Sequence, residues 1–234
     1  MQIFLSLCTL FFLASCTTTD KNPAAVLPPP DPYAYAKRLM MEGKDSLQDG
    51  DLLLRNGQEP GSQLIKNLSP NDKSYSHAGI VFMENGIPFV YHLTPGKENE
   101  GGRMLRDSLE NFCNPRYVFG YAIYRYNLET AETNKLKDSV KGWYTKELPF
   151  DHSYDLKTDD KMYSTEMVKK AYEKATANRI SIPTTKPGIK EATYISRKLK
   201  IPRVLVLKAN IVPLDAVYSV PQCRLVKRFD FSQQ

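Results

Sequence analysis

Two of the three histidines in this 234-residue chain, His77 and His92, flank an Asn-Gly step within Ser76-His77-Ala78-Gly79-Ile80-Val81-Phe82 and Phe89-Val90-Tyr91-His92. One imidazole that takes a proton and a second that orients it is the chemistry such a pair offers, if both rings share one surface. Asn85-Gly86 between apolar-rich runs predicts a β-hairpin, because both central residues of a type I′ turn need positive φ. With a two-residue loop Glu84 pairs with Ile87, Gly79 falls opposite His92, and His77 falls opposite Thr94. His77, Gly79 and Val81 then share a face with Val90 and His92, and the histidines become diagonal neighbours about 7 Å apart at Cβ. A three-residue loop would shift the register by one and put them on opposite faces. Gly79 leaves room above the sheet between them. Two ordinary strand histidines satisfied by backbone or water are the other reading of this hairpin.

Few other reactive groups stand out. Ser164 lies in Lys161-Met162-Tyr163-Ser164-Thr165-Glu166-Met167-Val168, behind the acidic pair Asp159-Asp160 that suits a helix N-terminus. Ser164, Met167, Val168, Ala171, Tyr172 and Ala175 fall on one stripe at helical spacing, so the hydroxyl is expected to face inward and Glu166 to point off the stripe. Taken alone, a serine there reads as a cap for free N–H groups. Glu166 reads as a buried hydrogen-bonding partner for a loop or an N-terminal charge, and His152, in the preceding loop, as either a pocket residue or a surface one. Cys113 and Cys223 could pair in an oxidising compartment, but two distant cysteines are no disulfide framework. Cys113 as a thiol nucleophile lacks a helix start or a base beside it. A metal site built from His77, His92 and His152 lacks a carboxylate or cysteine spaced to complete it, so neither metal nor cofactor is expected.

The chain opens on Met1-Gln2-Ile3-Phe4-Leu5-Ser6-Leu7-Cys8-Thr9-Leu10-Phe11-Phe12-Leu13-Ala14-Ser15-Cys16, an apolar run short for a membrane span and suited to an export signal. Residues 1–15 are read as that signal. Residues 16–33 follow as a tether containing Leu27-Pro28-Pro29-Pro30-Asp31-Pro32, semi-rigid where proline is dense. Residues 34–234 are long enough for one domain with a sizeable core. The formal charge is +6, with Lys and Arg interleaved with acids. No basic stripe with aromatic platforms argues for nucleic acid. Two mild enrichments, from Lys135 to Lys146 and from Lys186 to Arg203, read as solvated helix faces, with contact to anionic lipid or polymer as the alternative.

The histidine hairpin needs elements on either side. Helices are predicted for Tyr33 to Gly43, Ser62 to Leu68, Thr133 to Glu147 and Lys161 to Ala175. Asp49-Gly50-Asp51 turns into a short buried strand, Leu52-Leu53-Leu54-Arg55, and Tyr117 to Tyr126 has the aromatic and β-branched bias of a strand. Leu148-Pro149-Phe150-Asp151-His152-Ser153-Tyr154-Asp155 reads as a loop against the sheet. Arg203-Val204-Leu205-Val206-Leu207 and Asp215 to Val220 read as strand and turn material.

Four blocks in order, Gly50-Asp51-Leu52-Leu53-Leu54, Ser76-His77-Ala78-Gly79-Ile80-Val81, Pro149-Phe150-Asp151 and Tyr163-Ser164-Thr165-Glu166-Met167-Val168, resemble the YiiX-like permuted papain-like amidases of the NlpC-type superfamily. The resemblance runs from about Gly50 to Val226. It implies an α+β, circularly permuted papain-like fold, an antiparallel sheet or partial barrel packed against helices. It also implies His77 as general base, His92 as the third polar residue and the residue after Tyr163 as nucleophile. The family carries cysteine at that position and this chain carries Ser164. Leu13-Ala14-Ser15-Cys16 similarly resembles a bacterial lipobox, which implies cleavage before Cys16 and its acylation, without the usual basic n-region.

A thiol at a helix start ionises readily beside imidazole, whereas an alcohol must lose its proton during attack. The serine version therefore needs His77 Nε2 as base, His92 on the opposite ring nitrogen and an oxyanion hole from first-turn N–H groups. Two functions follow. One is a lipoprotein hydrolase or acyltransferase, in the outer membrane facing the periplasm, that attacks an envelope peptide amide or lipid ester through Ser164. The other is a binding module on the same fold whose chemistry was lost with the thiol.

Overall fold

The computed structural model describes residues 31–94, 102–200 and 202–232. The leader, Cys16 and most of the tether lie outside these residues. Six strands form one antiparallel sheet in the order β4-β3-β2-β1-β5-β6. They are β1 (Asp51–Gly57), β2 (His77–Glu84), β3 (Ile87–His92), β4 (Leu105–Ser108), β5 (Val118–Tyr126) and β6 (Cys223–Asp230). Three helices flank them early in the chain, α1 (Ala34–Lys44), α2 (Pro60–Asn67) and the single turn α3 (Leu109–Phe112). Four follow later, α4 (Thr130–Thr145), α5 (Ser164–Ala175), α6 (Ile189–Leu199) and α7 (Arg203–Lys208).

Both sheet faces are covered, which explains the unbroken apolar run of β1. Leu52 and Leu54 join Ala78, Ile80 and Phe82 in a core under α4 and α5, with Leu136, Val140, Met167, Val168 and Tyr172. Leu53 points the other way, joining Val81, Val90, Leu109 and Phe112 under α1 and α3. Each of these fully buried leucines contributes about 1.5–3 kcal/mol by leaving water.

The hairpin has the expected register. Glu84 pairs with Ile87, Val81 with Val90 and Ile80 with Tyr91. Asn85 and Gly86 adopt φ of 51° and 78°, the left-handed pair that a type I′ turn demands. Gly79 is required by close approach, since a Cβ there would stand 2.5 Å from Val90 Cγ1 and 3.2 Å from the His92 Cβ.

One local expectation is corrected, and one strand went unpredicted. Arg203–Lys208 is helix instead of strand, because Val206 docks on Ala192 and Ile195 of α6 and this packing outweighs the β-branched bias of Val-Leu-Val-Leu. Cys223–Asp230 is an edge strand on β5 that its charged, weakly alternating residues did not announce. Glu166 is completely buried and hydrogen-bonded, as the sequence reading has it, while Ser164 is half-buried at the start of α5. Cys113 and Cys223 are both free, the first packed under α3 and the second against the core on the opposite face. Among the described residues no helix is long and apolar enough to cross a membrane.

Candidate active site

The hairpin register places His77 and His92 on the α3 face, and the rings meet edge-on with centroids 5.0 Å apart. His77 Nε2 lies 2.9 Å from His92 Nδ1, and His92 Nε2 lies 3.0 Å from Oδ2 of Asp107 on β4. The partners fix the protons. A carboxylate only accepts, so His92 Nε2 carries hydrogen and His92 Nδ1 presents a lone pair. His77 Nε2 must then donate to it, which leaves Nδ1 of His77 as the basic nitrogen. The sequence pointed to Nε2 as the base, and the relay reverses that assignment because Nε2 is the atom that reaches His92.

Phe112 seals the pair, its ring 5.6 Å from His77 and 5.0 Å from His92. Arg55, opposite His77 in the ladder, donates from Nη1 to the Phe112 carbonyl at 2.9 Å and holds α3 in place. Burial pushes the His77 pKa well below its ordinary value, and the positive charges of Arg55 and a protonated His92 push the same way. His92 is also held down, chiefly by burial, with Asp107 opposing. Both imidazoles are therefore neutral near pH 7, the state in which Nδ1 can accept a proton.

Ser164 is the first residue of α5, half-buried. Thr165 Oγ1 donates to the Val212 carbonyl at 2.7 Å, and the Val212 N–H donates to the Tyr163 hydroxyl at 2.9 Å, so the helix start is fastened to residues 211–214. Its far half is fastened by Tyr172, whose hydroxyl donates to the Gly50 carbonyl at 2.9 Å, just ahead of β1. Gly50 N–H in turn bonds the Val81 carbonyl, which ties the C-terminal half of α5 to the late part of β2. The N–H groups of Ser164 and Thr165 have no acceptor among the described residues, as expected of a helix's first turn. The helix covers the face opposite the histidine rings, and the Ser164 hydroxyl makes no hydrogen bond to His77.

Glu166 caps the same turn. Its Oε2 accepts the Tyr163 N–H at 3.2 Å and its Oε1 lies 2.9 Å from Lys170 Nζ. Burial outweighs that ammonium and raises the carboxyl to about 7. Asp151 of the Pro149-Phe150-Asp151 block is fully buried and accepts from the N–H groups of Ser153 and Asp155, which organises the loop ahead of the helix. His152 in that loop is exposed and rests against Phe150.

Asp107 was not singled out from the sequence. Its only signal is alternation within the four half-buried residues of β4, where pairing with Val90 puts Asp107 on the histidine face. Among the described residues no group of three His, Cys, Asp or Glu is arranged to hold a metal. The facing nitrogens of His77 and His92 point at each other instead of converging on a common point.

A histidine strand that precedes the Ser164 helix, on an antiparallel sheet with helices on both faces, defines the class: this is a permuted papain-like α+β fold. The chain belongs to the permuted papain-like amidase family of YaeF and YiiX, C92, whose profile matches residues 46–199. The uncharacterized protein YiiX of Escherichia coli strain K12 is 24% identical over 189 residues, covering 77% of this chain and 86% of that protein. The crystal structure of metalloprotein YiiX from Escherichia coli O157:H7 matches with a TM-score of 0.63 at 21% identity, over 78% of this chain and 97% of the other. That likeness is one of fold.

Proposed function

We propose that this chain is a hydrolase that opens an amide or ester of the cell envelope through Ser164, with His77 Nδ1 as general base. The observation that carries the reading is the Asp107–His92–His77 relay, which leaves one basic nitrogen on a neutral, water-excluded imidazole. Ser164 and His77 are not bonded in this structure, so the step requires substrate binding to bring Ser164 Oγ within reach of Nδ1; Oγ then bonds to the carbonyl carbon as its proton passes to Nδ1. The imidazolium that forms is offset through His92 by the Asp107 carboxylate. The first-turn N–H groups of Ser164 and Thr165 receive the oxyanion. Collapse of the intermediate expels the amine or alcohol, protonated by Nδ1, and water then releases the acyl group by the same route. The family supports an amidase-type hydrolase. Labelling of the folded full chain by a fluorophosphonate between pH 6 and 9, lost in Ser164→Ala and in His77→Ala, is the expected result. Absence of labelling overturns it.

One observation favours a second reading, a binding module without turnover: the Ser164 hydroxyl is not bonded to His77 and α5 covers the opposite face. On that reading Ser164→Cys gains an activated thiol or hydrolysis, while the natural chain only binds. Export and acylation at Cys16, with anchorage in the outer membrane facing the periplasm, complete the proposal. They are supported by Leu13-Ala14-Ser15-Cys16 and the proline-rich tether. Incorporation of a clickable fatty acid in cells, abolished by Cys16→Ala, tests them.

A further inference from the structure

The positive charge of this chain is concentrated in one place. Residues 186–208 carry seven Lys or Arg against the single acid Glu191, a surplus of six, and the whole chain carries 32 against 26. Outside that stretch the two signs balance at 25 each. The stretch is α6, α7 and their flanks. Lys186, Lys190, Arg197, Lys200, Arg203 and Lys208 are exposed there, and none makes an ion pair among the described residues. Several cations elsewhere are paired: Lys137 with Asp49, Lys141 with Glu84, Arg125 with Asp51 and Arg179 with Glu132. The second enrichment noted in the sequence, Lys135 to Lys146, is thus partly neutralised within the fold, whereas this one is not.

Apolar side chains stand among these charges. Ala192 and Ile195 of α6 pack on Val206 of α7 and on Leu68. That contact leaves Val204 and Leu205 on the outer side of α7, 55% and 56% exposed, with Lys208 one turn from both. Ile189, 71% exposed, extends the α6 stripe beyond its buried part. A recess of about 280 Å³ at the start of α6 is lined by Lys73, Lys186, Ser69, Thr185 and Glu191 among others. Unpaired cations around protruding aliphatic side chains are the composition of a segment that lies in a membrane interface, with ammonium and guanidinium groups at lipid phosphates and aliphatic tips among the upper acyl carbons.

We propose that α6 and α7 form a docking surface for an anionic lipid bilayer, a second membrane contact beyond the anchor proposed at Cys16. Charge complementarity selects the occupant, since six uncompensated cations oppose a negative lipid surface and Val204 and Leu205 need an apolar layer behind it. The contact orients the domain on the lipid.

The test uses the full chain with an environment-sensitive fluorophore at Val204→Cys, or at Met41→Cys on α1 as control, both in Cys223→Ser. On phosphatidylcholine vesicles containing phosphatidylglycerol, the label at 204 is expected to brighten at least threefold and shift to the blue. The label at 41 is expected to stay unchanged, and pure phosphatidylcholine to leave both as in solution. Joint Lys190→Gln, Arg197→Gln and Lys208→Gln substitution is expected to weaken partitioning ~100-fold, at about fivefold per cation. A response at 204 that ignores phosphatidylglycerol overturns the proposal. So does heparin binding without any vesicle response, which assigns the surface to a soluble polyanion. The Cys16→Ala chain separates the two contacts: it loses the anchor and keeps the response at 204.

Discussion

The histidine relay and the α6–α7 surface treat charge in opposite ways. In the sheet, polar groups are buried in matched series: His77, His92 and Asp107 make one chain of contacts, and Asp51 is fully buried against Arg125. On α6 and α7, Lys190, Arg197, Arg203 and Lys208 are exposed and make no ion pair among the described residues. A buried polar group without a partner costs free energy, so the sheet can hold a histidine only if something fixes its proton. A solvated cation needs no partner to persist, so an unmatched cluster at the surface is free to meet something outside the molecule.

The sharpest way to break the comparison is at the end of the relay. Asp107→Asn removes the carboxylate that dictates the His92 tautomer while leaving the fold intact, since the Asp107 side chain is 30% exposed. If the chain hydrolyses its substrate as proposed, kcat is expected to fall about 10²–10⁴-fold, the range for disturbing a base's orienting acid. The melting temperature should move by only a few degrees. Loss of folding without a separable loss of rate would make Asp107 a structural residue.

Next in size is the buried ion pair at the start of β1. Arg125 Nη2 donates to Asp51 Oδ2 at 2.8 Å and to the Ser46 carbonyl at 2.8 Å. Burial already pushes the Asp51 pKa up against Arg125's opposing charge. Arg125→Met strands the carboxyl in the core and is expected to cost about 3–5 kcal/mol in urea unfolding at pH 7. Joint Asp51→Asn and Arg125→Met substitution should recover part of it.

How much of this was readable beforehand differs by element. The hairpin was legible because Asn85-Gly86 sets the register and the period of two then carries His77 and His92 to one face. The α5 start was legible from its acidic lead and apolar stripe. Asp107 was not, because a four-residue strand with every side chain half-buried has no periodicity to read. Glu166 was legible as a buried hydrogen-bonding partner, and Lys170 completes its pairing. For α6 and α7 the sequence offered solvated helix faces with anionic lipid as the alternative, and favouring lipid needed the structure, since a basic stretch looks alike in sequence whether or not the fold neutralises it.

A pH titration of stability sharpens the contrast between buried groups. His77 and His92 have depressed folded pKa values, so the native state binds fewer protons than the unfolded one below about pH 6.5 and loses stability as pH falls. Glu166 runs the other way. Its folded pKa of about 7 exceeds the ordinary 4.5, so its contribution is fully present below pH 4.5 and is lost as pH rises through 7. The unfolding free energy of Glu166→Gln relative to the natural chain is therefore expected to grow by up to about 3 kcal/mol from pH 4.5 to 7.5. A flat difference would mean that Lys170 keeps Glu166 ionised throughout.

The smallest expected effect concerns the exposed cations, and its smallness is the point. Joint Lys190→Gln, Arg197→Gln and Lys208→Gln substitution removes no described ion pair and no buried contact, so each change should alter stability by no more than about 0.5 kcal/mol. Relief of repulsion among neighbouring like charges favours the variant slightly, most visibly at low salt, where the Debye length of about 30 Å lets all six interact. Unfolding at 0.01 M and 0.5 M salt separates these contributions: the variant should gain on the natural chain only at low salt. A cluster that costs stability at low ionic strength and makes no ion pair among the described residues is consistent with a partner outside the molecule. A clear loss of stability on removing these charges would mean instead that they serve the fold.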